Sequence, residues 1–169
     1  MSTARNLQVN TVKLQFFEDY LRVLVYPHME AMLPNLDVEL DGKRFNWQIV
    51  SAAQVFQAFN TVFSVVEHLT LDDFRYHMSS EWNNEADRIP WRKLLEPFGK
   101  VKNLFVDGRL VKQLSGALQP GEEESPTELL PELQEISYST SGSSRNMFTQ
   151  FVDTRQKAGR PVTVVDNIR

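Results

Sequence analysis

One apolar pattern is written three times along this chain at nearly constant distance, and it constrains the fold more than any other feature. Phe63, Val66, Leu69 and Leu71 follow the spacing apolar-x-x-apolar-x-x-apolar-x-apolar. Phe98, Val101, Leu104 and Val106 repeat it 35 residues later, and Leu130, Leu133, Ile136 and Tyr138 repeat it 32 residues after that. Each copy closes on an alternating step, the mark of a strand with one buried face. A segment with helical spacing precedes each copy. Such a recurring helix-then-strand unit predicts a stacked α/β array in which each unit buries its face against its neighbours. Strands near Val66–Leu71, Val101–Val106, Leu133–Tyr138 and Val162–Val165 are then expected to be parallel neighbours in chain order, with their helices on one face.

The helical segments carry their own punctuation. Ser51-Ala52-Ala53-Gln54 fits a capping box ahead of Val55, Phe56, Phe59, Val62 and Phe63, which line one face. Pro90 suits a first helical position, with Trp91, Leu94, Leu95 and Phe98 as the buried stripe. Leu110, Val111, Leu114 and Leu118 follow a tight Asp107-Gly108 turn. Ser125-Pro126-Thr127-Glu128 reads as another capping box. Phe148, Phe151, Val152 and Arg155 form a last helix, ended by Gly159 and Pro161 before Val162, Val164 and Val165.

The first third is β-rich. Val12, Leu14 and Phe16 alternate, as do Leu21, Val23 and Val25, with Glu18-Asp19 between them, a hairpin pattern. Leu36, Val38 and Leu40 alternate with Asp37, Glu39 and Asp41. Asp41-Gly42 then signals a tight turn, with Phe45, Trp47 and Ile49 as the returning strand. The 169 residues suffice for a single domain. Its expected parts are a cap over 1–50, helix-strand repeats over 51–165 and a tail over 166–169.

If the pattern residues face the helices, the intervening ones form an open polar face. Those are His68, Thr70 and Asp72, then Asn103, Phe105 and Asp107, then Glu135, Ser137 and Ser139, with Thr163 expected to continue the middle row. This alternation argues against a sheet covered on both sides, which would read as continuous apolar runs. Phe105 is the exception, an aromatic in a polar row. It either packs under the N-terminal strands or a folded-back loop, or anchors a partner on the open surface.

The stretches Trp47–Gln54, Val66–Leu71, Trp91–Leu95, Phe98–Leu104, Glu128–Leu133 and Ala158–Thr163, in this order and spacing, resemble the C-terminal region of F-box-like proteins from mushroom-forming fungi. The likeness runs from about Val12 to Val165. It implies a short, degenerate leucine-rich-repeat-like array with a parallel sheet, helices on one face and an antiparallel N-terminal cap. The family consists of adaptor or substrate-recognition proteins of ubiquitin ligases. No segment here resembles the F-box helices that dock on the ligase adaptor, so the chain is expected to recognise a partner without recruiting the ligase in the usual way. The Asn ladder of regular leucine-rich repeats is also missing, with Phe74 and Arg109 at the corresponding positions.

Other function classes find little support. A net charge of −4 suggests neither nucleic acid nor an anionic membrane as partner. The absence of cysteine excludes disulfides, thiolate zinc sites and thiol nucleophiles. With no signal-peptide core and no membrane-length apolar run, a cytoplasmic or nuclear protein is expected. No nucleophile elbow, phosphate-cradling loop or dinucleotide fingerprint is present, and no cofactor or small-molecule substrate is implied. His68, Asp72, Asp73 and His77 could be imagined around a metal, the basis of an alternative reading as a small hydrolase or metal-dependent enzyme. They lack the rigid presentation that ligands need. Ser125, after Glu122-Glu123-Glu124, suits phosphorylation as well as a helix start. The reading adopted is a non-catalytic protein-binding module. Its candidate contacts are Phe105, Asn103, Thr70, His68, Glu135, Ser137 and Thr163.

Overall fold

The alternating runs at the N-terminus form strands because each presents an apolar row to one side. In the computed structural model, which describes residues 8–76, 85–119, 128–139 and 147–167, β1 (Thr11–Phe16) pairs antiparallel with β2 (Tyr20–Tyr26) as the predicted hairpin. β3 (Leu36–Asp41) pairs antiparallel with β2. Helices α1 (Phe45–Ala58) and α2 (Asn60–Phe63) then lead to β4 (His68–Asp73), which lies parallel to β1. Beyond it the order is α3 (Glu85–Leu95), β5 (Asn103–Val106), α4 (Val111–Leu118), β6 (Glu135–Ser139), α5 (Thr149–Lys157) and β7 (Thr163–Asn167).

The seven strands of the described residues join one sheet in the order β3-β2-β1-β4-β5-β6-β7. The N-terminal pairings are antiparallel; from β1 through β4 to β7 every pairing is parallel. The fold is therefore α/β with one mixed sheet. The register repeats the sequence period, since His68 faces Asn103 and Asn103 faces Glu135, the same 35- and 32-residue steps.

One hydrophobic core runs the length of the sheet. Val12, Leu14, Phe16, Leu69, Leu71, Leu104, Val106, Ile136 and Tyr138 all face it, together with Ile49, Phe56, Trp91, Leu94, Leu114 and Phe151 from the helices. Trp91 packs against Phe16 and Phe45, with ring centroids 6.1 and 6.2 Å away. Phe56, Phe63 and Phe98 form a second aromatic cluster, Phe56 meeting the other two edge-on at 4.5 and 5.2 Å. Such edge-on pairs add about 0.5–1.5 kcal/mol each beyond area burial.

Several local expectations are corrected. Phe45, Trp47 and Ile49 are not a returning strand but the first turn and a half of α1. Phe45, Ile49, Ala52, Ala53 and Phe56 are the buried apolar residues, a helical spacing that buried Gln48 shares, while Trp47 is 64% exposed. Ser51 consequently sits inside α1 rather than at its start. The helix breaks at Phe59, which is exposed rather than on the buried stripe. Pro90 lies within α3, not at its first position. The strand expected near Val66–Leu71 starts at His68, with Val66 buried in the approach to it. In β7, Val164 pairs with inward-facing Ile136 and Val165 with outward-facing Ser137, so Val165 shares the outward face with Thr163. Outside the described residues lie the capping residues Ser125 to Thr127, the acidic run Glu122 to Glu124, His77 and the last two residues of the tail.

Candidate functional site: the open face of the sheet

Because strand side chains alternate, the residues between the core positions share the opposite face. The register places His68, Asn103, Glu135 and Thr163 in one row across four strands. The next row is Thr70, Phe105, Ser137 and Val165. Thr163 therefore continues the first row, not the middle one. Apart from exposed Thr163, these residues are half-buried, in contrast to the strand residues that face the helices. All seven sequence-predicted contact residues thus lie on one surface, in two adjacent rows. Phe105 stands between Thr70 and Ser137 and is half-buried.

The rows extend onto the N-terminal strands. Thr11 continues the first, Lys13 and Leu24 the second, and Gln15 and Arg22 stand in register with Asp72 in a third. Polar contacts organise parts of this surface. Ser137 Oγ donates to Glu135 Oε1 at 3.0 Å. The Lys13 ammonium lies 5.1 Å above the Tyr26 ring. Arg22 donates through Nε and Nη2 to the two Asp37 carboxylate oxygens, at 2.9 and 2.6 Å. That bidentate bond holds the Asp37 carboxyl below the usual carboxylate range and raises the Arg22 guanidinium above its own. His68 Nδ1 is buried without a hydrogen-bond partner among the described residues.

Sequence reasoning missed an aromatic stack at the upper edge of this face. Phe17 lies between Tyr20 and Phe74, with centroids at 4.5 and 5.2 Å and both ring planes within 14° of parallel. Phe74 is 48% exposed. The available signal was the parity of Phe17, which continues the outward positions Lys13 and Gln15 beyond the end of β1.

Beside the stack, on the helix side, a charge cluster closes the C-terminal ends of β4 and β5. Asp73 is buried and accepts from Arg75 Nε and Nη2 at 2.8 and 2.7 Å. The Arg75 guanidinium lies 3.7 Å over the Phe45 ring. Arg109 donates to the Arg75 carbonyl at 2.6 Å and lies 3.7 Å from Asp73. These bonds fix the turns after β4 and β5. Arg109 Nε also lies 3.6 Å from Asp107 Oδ1, so the cluster is a neutralised clamp in which each of the two carboxylates faces a guanidinium.

The metal reading gains no geometry. His68 and Asp72 lie on one strand four residues apart, about 13 Å by the strand rise, too far to share an ion. No group of three His, Asp or Glu side chains among the described residues could hold a metal. No described helix is long and apolar enough to cross a membrane. No protein-family model matches this chain, and neither a curated protein nor a solved structure matches it.

Proposed function

We infer that this chain is a non-catalytic protein-binding module of cytoplasm or nucleus, with the open sheet face as its recognition surface. The parallel strands are read as a short, degenerate leucine-rich-repeat-like array. The resemblance to F-box-like proteins suggests the substrate-recognition part of a ubiquitin-ligase receptor. The observation that carries the reading is the pairing of two unlike faces. Toward the helices β4, β5 and β6 turn the buried apolar side chains Leu69, Leu71, Leu104, Val106, Ile136 and Tyr138; on the other face they align half-buried polar side chains in register with one phenylalanine, Phe105, among them. Open sheet faces of repeat arrays are common recognition surfaces, and a central aromatic is the usual anchor.

Affinity capture from cell extract, compared between the wild-type chain and Phe105→Ser, tests this. Proteins retained by the wild type are expected to be depleted by the variant, with a loss of about 2 kcal/mol or more in binding. Thermal stability is expected to shift by less than about 0.5 kcal/mol. Lost stability with undiminished capture would place Phe105 in the core and remove the anchor from this surface.

A further inference from the structure

The outer edge of β3 is built unlike the rest of the molecule. Gly42 N donates to Asp19 O at 2.8 Å, in continuation of the β2–β3 ladder. Residue pairs in an antiparallel ladder alternate between exchanging hydrogen bonds and not doing so. Stepping back by two from Gly42, the bonded pairs are Leu40 with Leu21 and Val38 with Val23. The N–H and C=O groups of Asp37, Glu39 and Asp41 therefore point away from β2. Among the described residues no strand pairs with that side, because β3 ends the sheet.

The two faces of this edge differ sharply. Leu36, Val38 and Leu40 are on the helix side and incompletely buried, Leu36 being 40% exposed. The preceding loop adds Met32 and Leu33, 95% and 79% exposed. On the other face stand Asp37, Glu39 and Asp41. Arg22 neutralises Asp37. Glu39 stands opposite Arg22 across the ladder and acts on its charge at longer range; Asp41 has no hydrogen bond or ion pair among the described residues.

We propose that the β3 edge binds an extended segment of a partner protein in which basic and apolar residues alternate, adding an eighth strand to the sheet. Three features converge on that occupant. Outward backbone groups recurring every second residue match a strand and not a helix. The carboxylates select Lys or Arg on one face of the added strand, and Leu36, Val38 and Leu40 select apolar residues on the other. A second copy of this chain pairing through β3 would set carboxylates against carboxylates, which is destabilising. This edge is separate from the row containing Phe105 and does not depend on the reading of that row.

The test uses the full chain and a short peptide of alternating Lys and Val, with a same-composition peptide of blocked order as control. The alternating peptide is expected to bind and to perturb the amides of Asp37, Glu39 and Asp41, and the blocked one to bind at least about tenfold more weakly. Glu39→Pro removes an outward N–H without breaking a bond to β2. It is expected to weaken the alternating peptide about tenfold or more, and so is Asp41→Lys, which keeps every backbone group. Equal affinity for the two peptides would reduce the edge to a diffuse charge effect and overturn the proposal. So would undiminished binding to Asp41→Lys, or absence of any binding, whether the chain remains monomeric or self-associates.

Discussion

Leu104 is buried to 1% between Leu69 and Ile136, its register partners on the neighbouring strands. Its place follows from the repeated pattern alone, because an apolar residue at the same phase of each copy must face the same side. Leu104→Ala is expected to cost about 2–5 kcal/mol, measured by denaturant unfolding; an unchanged midpoint would mean that this position lies outside the core. Asp37 belongs to the same scale but was not legible. Nothing in the order Leu36-Asp37-Val38 announces Arg22 as its partner, which only the antiparallel register of β2 and β3 supplies. Its folded pKa is lowered by that bond, so its contribution to stability is present above the unfolded value and lost as pH falls through the folded one. An NMR titration of the Asp37 carboxyl is expected to give a midpoint below that of an unstructured Asp, returning to the ordinary value in Arg22→Ala. Identical midpoints in the two proteins would contradict the assignment.

At the scale of elements, the clearest legibility is where period and punctuation agree. The last helix shows both, with Phe148, Phe151 and Arg155 buried along one face and Gly159 ending it at φ +75°. No atom within 4 Å would obstruct a side chain at Gly159, so backbone conformation alone decides the substitution. Gly159→Ala is expected to destabilise by about 1 kcal/mol; calorimetry showing a stabilised variant would mean that the turn relaxes freely. The helix α1 shows the opposite outcome. Phe45, Trp47 and Ile49 fit alternation, while Phe45, Ile49, Ala52 and Phe56 fit a helix, and both spacings are present in the same residues. The core accepts the second because it aligns Phe45, Ile49, Ala52, Ala53 and Phe56 on one buried face, whereas a returning strand would have turned Trp47 and Phe45 to the same face. Pro90 likewise marked a helix but misplaced its start, since α3 already has residues 85–89 before it.

For the whole molecule, the order of the parallel strands implies a gradient of protection. β2, β1, β4, β5 and β6 are flanked on both sides, whereas among the described residues β3 and β7 have one partner strand each. Amide exchange is expected to be slowest in β4 and β5 and fastest in the outward-directed amides of β3, read by hydrogen–deuterium exchange. Uniform protection across the sheet would argue against an open β3 edge.

By itself the sequence determined the α/β class, the parallel succession of strands and the residues that face the core, because burial of an apolar row is a local periodic demand repeated in each unit. It also determined that the candidate contacts share a face, since alternation along a strand leaves no other choice. Tertiary structure alone decided the parallel pairing of β1 with β4, the row to which Thr163 belongs, the Tyr20–Phe17–Phe74 stack, the Asp73–Arg75–Arg109 clamp and the open edge of β3. Each of these depends on register between segments distant in the chain. Register is fixed by the packing of the whole core, and no single segment carries it.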